Sequence, residues 1–134
     1  MPLKSDIQTR EDLDLLIHRF YEHLLNDSQL RHFFQAPIHI DWESHFPKLV
    51  DFWEQILFNT GSYTGNPMQV HKALHDKIPM STDHLNEWVQ WFHQTVDDYF
   101  EGANAELIKQ RAYSIAKVME WKVVHGGSSI NPTT

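Results

Sequence analysis

The chain has 134 residues, 41% apolar, 13% aromatic and 22% charged, a composition that suits one ordinary folded domain burying roughly 68% of its unfolded surface. Its formal charge of −7, with no basic patch, excludes a nucleic-acid or anionic-membrane partner. The lack of any cysteine excludes disulfides, iron–sulfur clusters, thiolate zinc sites and thiol catalysis together.

Met1-Pro2-Leu3-Lys4-Ser5-Asp6 lacks the apolar stretch of a secretory signal, and no apolar run approaches the ~20 residues that cross a bilayer, so a cytoplasmic location is expected. Apolar residues recur at helical spacing almost throughout, and no stretch alternates as a half-buried strand would. The first predicted helix starts after Thr9, carries Leu13, Leu16, Ile17, Phe20 and Leu24 on one face with Tyr21 on the flank, and ends at Asn26-Asp27. A short helical turn follows over Leu30 to Phe34, and Pro37 closes it.

The next helix spans about Asp41 to Asn59, with a stripe of Trp42, His45, Phe46, Leu49, Phe52, Trp53, Ile56 and Leu57 and a stop at Gly61. Pro47 falls in its first turn if Ser44 is the cap, or kinks it if Asp41 is the cap. Ser62 to Asn66 reads as a loop, and Asn66-Pro67 opens a short helix bearing His71. Pro79 interrupts, after which Ser81 caps a helix with Leu85, Trp88, Val89, Phe92, Val96 and Tyr99 on one face, stopped by Gly102. Asn104 opens the last helix, which turns Leu107, Ile108, Ile115, Val118 and Met119 to the core and ends at Gly126-Gly127. Neither repeat nor linker divides the chain, so residues 1–134 read as a single domain, with 1–8 and 126–134 as flexible ends.

Ten histidines make that residue the place to look for chemistry, since no carboxylate pair, Gly-rich phosphate loop or Ser/His/Asp pattern competes. His18, His23, His32, His39, His93 and His125 sit among polar neighbours and read as solvated side chains. His45 lies on an apolar stripe, His84 near a helix start, and His71 and His75 are spaced to share one helix face. That pair lacks the glutamate of a zinc-protease motif, with Lys72 in the gap and no third ligand near. A single histidine can instead be the axial ligand of haem iron, given an apolar slot for the macrocycle and an open face for gas. Five Trp, eight Phe and four Tyr supply ring surface for such a slot, or simply for a ring-rich core.

Phe20-Tyr21-Glu22, Phe33-Phe34, Trp42-Glu43-Ser44-His45, Asp51-Phe52-Trp53, Tyr63-Thr64-Gly65-Asn66-Pro67-Met68-Gln69-Val70-His71, and Glu87-Trp88 with Phe92 form an ordered set. In these pieces, from Phe20 to about Met119, the chain resembles the truncated haemoglobins and among them the group III members. The resemblance implies an all-α, shortened globin fold, with two antiparallel helix pairs stacked around a haem b (iron protoporphyrin IX). It further implies His71 as the proximal iron ligand, Tyr21, His45 and Trp88 as the distal residues, Phe34 packed on the macrocycle, and Lys48 near a propionate. Leu49 and Phe52, one and two turns beyond His45, are predicted on helical spacing to line the same wall. Pro47 departs from the pattern, whereas the absence of the glycine pairs of other groups fits it.

A phenol O–H or indole N–H aimed at a diatomic ligand that carries partial negative charge strengthens binding and slows release. Tyr21 and Trp88 are such donors in this reading; the bland alternative makes both of them core side chains. The expected ligand is oxygen, nitric oxide, carbon monoxide or peroxide at a five- or six-coordinate iron. Peroxidase-like or nitric-oxide-detoxifying turnover, fed by a reductase, is a variant of the same reading. The alternatives are a non-haem metal-binding helical bundle using His71, His75 and His45, which would want Glu-x-x-His pairs the sequence lacks, and a helical interaction module with incidental histidines.

Overall fold

The structure, a computed structural model, describes residues 4–34, 41–59 and 80–124. Helix α1 covers Arg10–Asn26 and begins where expected, because Thr9 and Asp12 form a reciprocal cap. The Thr9 hydroxyl accepts the Asp12 N–H at 3.2 Å, while the Asp12 carboxylate accepts the N–H groups of Gln8 and Thr9. Leu13, Leu16, Ile17, Phe20 and Leu24 are all buried, and so is Tyr21 on the flank. Each such side chain contributes on the order of 2 kcal/mol on leaving water. At the far end the Asp27 carboxylate accepts the Gln29 and Leu30 N–H groups, turning the chain into a 3-10 turn at Arg31–Phe34. Pro37, expected to close this region, lies outside the described residues.

Helix α2 covers Trp42–Phe58 and settles the cap in favour of Asp41. Ser44 lies inside the helix, its hydroxyl donating to the Asp41 carbonyl at 3.2 Å. Pro47 therefore occupies the helix interior, where it offers no N–H to the carbonyl of Glu43. Asn59 ends α2 in the left-handed conformation, φ 58°, which its short polar side chain tolerates. The predicted stop at Gly61 and the expected helix bearing His71 lie outside the described residues.

Helix α3 covers Thr82–Tyr99 and opens on a second reciprocal cap, with Ser81 as expected and His84 as the unforeseen partner. The His84 N–H donates to the Ser81 hydroxyl at 3.1 Å, and the Ser81 N–H donates to Nδ1 of His84 at 3.0 Å. Gly102 does not stop α3, which ends at Tyr99 with Phe100 as its C-cap; it caps the start of α4 instead. Helix α4 covers Ala103–Met119 and runs into a π-helical turn at Glu120–Val124. Asn104, predicted to open this helix, is its second residue, and its N–H donates to Asp6 rather than receiving a local cap.

The strap before α1 therefore does the capping of α4. Asp6 accepts the Asn104 N–H at 2.9 Å and the Ala105 N–H at 2.8 Å, the Glu101 N–H donates to the Ser5 carbonyl, and Ile7 is fully buried. Gly102, at φ +144°, brings its Cα so close that an added Cβ would lie 2.5 Å from Asp6 Cγ. Five residues of α4 are buried, Ala105, Ile108, Ala112, Ala116 and Met119, a face built largely of small residues. Val118, expected in the core, is 41% exposed, because that small-residue face rather than the bulkier one meets α3.

Side-chain pairs fix the directions of the helices. Arg10, at the start of α1, bridges to Asp51 and Glu54 late in α2 at 2.8 Å each, whereas Tyr21 near the end of α1 meets Trp42 and His45 at the start of α2. Thus α1 and α2 are antiparallel. So are α3 and α4, with Lys109 on Asp97 at 2.7 Å and Thr82 on Glu120 at 2.9 Å. The two pairs meet at Phe92 of α3, which is fully buried and packs against Phe20 of α1 and Trp53 of α2 at ring-centroid distances of 5.0 Å.

Candidate functional site

Helical spacing sets the candidate residues on facing sides of α1 and α2. The Tyr21 ring is surrounded by Phe34 of the 3-10 turn at 5.5 Å and, on α2, by Trp42 at 5.6 Å, Phe46 at 5.5 Å and His45 at 6.0 Å. All four contacts are edge-on, the arrangement ring quadrupoles favour. Tyr21 is only 9% exposed. Burial pushes the phenol well above its ordinary pKa, so the hydroxyl stays protonated, a donor rather than a phenolate, at any physiological pH.

His45 is half-buried, its ring against both Tyr21 and Trp42. Further along α2, Leu49 and Phe52 are half-buried and packed on the core, as their spacing from His45 requires, and Phe52 stands edge-on to Trp53. Lys48 is exposed. Trp88 of α3 is also half-buried, edge-on to Phe20 at 5.6 Å and stacked on Phe92 at 5.8 Å. The structure thus brings Tyr21, Phe34 and His45 into direct contact, and relates Tyr21 to Trp88 through Phe20, which touches both. His71 and His75 lie outside the described residues, so their placement relative to this cluster does too.

Several large apolar side chains here, Phe34, Leu49, Phe52 and Trp88, pack on the core while remaining partly uncovered. A buried neutral phenol set among such side chains fits a flat apolar group whose bound ligand needs one hydrogen-bond donor. Among the described residues no group of three or more His, Asp or Glu side chains could hold a metal ion.

Some histidines read as solvated are not. The His23 ring stacks on Trp91 at 4.4 Å and an interplanar angle of 9°, His32 lies 5.4 Å from His84, and a His93 ring nitrogen lies 3.0 Å from the Lys109 carbonyl. His18, exposed as expected, nevertheless stacks on Phe46 at 4.2 Å. Polar sequence neighbours do not report what crosses from another helix. The same blindness hid a polar contact at the end of α1, where the Trp91 indole donates to Asp27 at 2.6 Å. Nothing in the local spacing links Asp27 to α3.

Two antiparallel helix pairs joined through an aromatic hub, with a buried phenol beside half-covered rings, have the build of a shortened globin. The chain belongs to the bacterial-like globin family, whose model matches residues 6–123. It is 26% identical over 117 residues to the group 3 truncated haemoglobin of Campylobacter jejuni, a match spanning 85% of this chain and 90% of that protein. The crystal structure of the group III truncated haemoglobin from Campylobacter jejuni superposes with a TM-score of 0.80 at 25% identity, over 90% of this chain and 95% of that one. The resemblance drawn from the ordered sequence pieces is thereby borne out, as is the all-α shortened globin fold. Membership of the globins implies a haem cofactor. No helix among the described residues is long and apolar enough to cross a membrane.

Proposed function

We propose that the chain is a single haem domain that holds haem b through His71 and binds oxygen or another small diatomic ligand, with Tyr21 as the principal donor to that ligand. The observation that carries this reading is the Tyr21 phenol, buried among rings and held neutral by burial at the meeting of α1 and α2. Haem, when bound, supplies an iron that takes the diatomic ligand. The protein's own residues do the rest: Phe34, Leu49, Phe52 and Trp88 offer apolar surface to the macrocycle and exclude water. Tyr21 offers the O–H, and His45, whose ring already touches Tyr21, orients that hydroxyl or accepts from it. Lys48, exposed on α2 one turn from His45, would meet a propionate. Trp88 contributes a second donor, its indole N–H. With electrons from a reductase, the same donors would serve peroxide or nitric oxide turnover in place of reversible binding.

The test is the absorbance of the purified protein with and without carbon monoxide, repeated on His71→Ala, with oxygen release measured on Tyr21→Phe. The native protein is expected to show an intense Soret band that shifts on adding carbon monoxide, and His71→Ala to lose that band or its proximal signature. Oxygen release from Tyr21→Phe is expected to be faster by up to roughly tenfold, the worth of one hydrogen bond of about 1.4 kcal/mol. A colourless native protein, or a His71→Ala protein with an unaltered proximal bond, overturns the reading.

A further inference from the structure

The cap that opens α3 departs from the usual form in one residue. In a reciprocal cap of the Ser-x-x-Glu or Ser-x-x-Gln kind, the third helical residue offers a side-chain oxygen to the N–H of the capping serine. Here that residue is His84 and the acceptor is a ring nitrogen. The Ser81 N–H donates to Nδ1 at 3.0 Å, while the Ser81 hydroxyl accepts the His84 N–H at 3.1 Å. Because an amide N–H can only donate, Nδ1 is the bare nitrogen and the neutral ring carries its hydrogen on Nε2. Glutamine does not titrate, and glutamate keeps its acceptor oxygens ionised at any pH above the carboxylate range, whereas histidine changes charge close to neutrality. We infer that His84 is a positioning residue for Trp88: its neutral ring holds the first turn of α3 wound, and protonation of Nδ1 releases that turn.

The backbone carries the effect from the cap to Trp88. The first helical bond of α3 runs from the Leu85 N–H to the Ser81 carbonyl at 3.2 Å, and the α-helical bond of the Trp88 N–H runs to the carbonyl of His84. Trp88 therefore follows His84 by one turn on the same side of the helix. The His84 ring also ties this turn to the segment after α1, standing edge-on to the buried Phe33 at 5.0 Å and lying 5.4 Å from His32. A proton on Nδ1 sets one N–H against another and adds positive charge where the helix dipole is already positive.

Among the described residues, the charged or titratable groups of the elements around His84 are Arg31 and His32 of the 3-10 turn, Asp83 and Glu87 of α3, and Glu120, which accepts the Thr82 hydroxyl at 2.9 Å. Burial, followed by His32, holds the imidazole below its ordinary value of 6.5, and Asp83 offsets part of that shift. The folded value thus lies below the unfolded one. The cap contributes its full stability above pH 6.5 and loses it as pH falls through the lowered value.

The part that Trp88 plays toward a bound ligand rests on the proposed function; the acid-labile cap does not. The experiment is a nitrogen–proton correlation spectrum from about pH 8 to about pH 5, recorded on the native protein, His84→Gln and His84→Ala. Each protein is reduced and saturated with carbon monoxide, so that any bound haem is diamagnetic. In the native protein the Ser81 amide and the Trp88 indole are expected to move together with the His84 ring, at a midpoint below 6.5. In His84→Gln, which keeps the cap without a titrating group, both signals are expected to hold their alkaline positions throughout. In His84→Ala the Trp88 indole takes its acid position at every pH, and the Ser81 amide exchanges roughly two- to fivefold faster, the worth of one modest hydrogen bond. A Ser81 amide that holds still in the native protein overturns the inference, and so does a Trp88 indole that ignores the His84 titration or moves alike in native and His84→Gln. Should His84→Ala fail to fold, the native protein and the Gln variant still decide. A colourless protein whose Ser81 and Trp88 signals titrate as expected would sink the haem proposal and leave the cap standing; a haem protein with a silent Ser81 would do the reverse.

Discussion

Tyr21 can serve as a donor only while its hydroxyl keeps its proton, and its surroundings ensure that it does. Burial raises the phenol above the ordinary value of 10.0, so above that pH the unfolded chain ionises this group while the folded one does not, and stability falls as pH climbs. An alkaline absorbance titration, followed alongside circular dichroism, is expected to show the Tyr21 signal only with unfolding. If Tyr21 ionises while the helices are intact, its phenol is wetter than the ring contacts allow. The sequence marked Tyr21 as a residue on the flank of an apolar face, since spacing of 3 and 4 locates a face; it says nothing of the rings that arrive from α2. The Asp27–Trp91 contact was illegible for the same reason. Local spacing singles out neither partner, and only the crossing of α1 with α3 makes the pair.

Among the elements, α2 and α4 carry the features most open to test. Pro47 lies inside α2 on the exposed side, so Pro47→Ala restores a backbone hydrogen bond without touching the core. A helix-interior proline costs about 3 kcal/mol, offset by about 1 kcal/mol for its stiffening of the unfolded chain, so a gain of roughly 2 kcal/mol in urea unfolding is expected. An unchanged midpoint would mean that α2 has already absorbed the defect. Gly102→Ala, in contrast, adds strain at a positive φ and drives a Cβ into the Asp6 side chain that caps α4, for an expected loss of about 2–4 kcal/mol by the same measurement. Local caps such as Thr9 and Ser81 could be read from the chain because donor and acceptor lie within four residues. The role of Gly102 could not, because the carboxylate that replaces its missing side chain comes from Asp6, at the other end of the sequence.

Across the whole molecule, Phe92 is where the two helix pairs meet. It is fully buried and touches Phe20, Trp53 and Trp88, so Phe92→Ala opens a cavity under three helices and is expected to cost about 3–5 kcal/mol in denaturant unfolding. A loss below about 1 kcal/mol would show that the hub collapses to fill the space. Periodicity revealed that the chain is helical nearly throughout, yet not which helix lies on which; pairing depends on side chains far apart in sequence, and it came from the resemblance of ordered pieces rather than from spacing. The strap at the start of the chain has a further bearing, on how the protein is made. Ser5, Asp6 and Ile7 are synthesised ahead of the amides and side chain they bind, which belong to Glu101, Asn104 and Ala105, up to 99 positions later. At ordinary speeds of translation that is a wait of roughly 5–20 s. The strap is thus made long before it can be fastened, and a nascent chain stalled before Glu101 must carry it without these bonds.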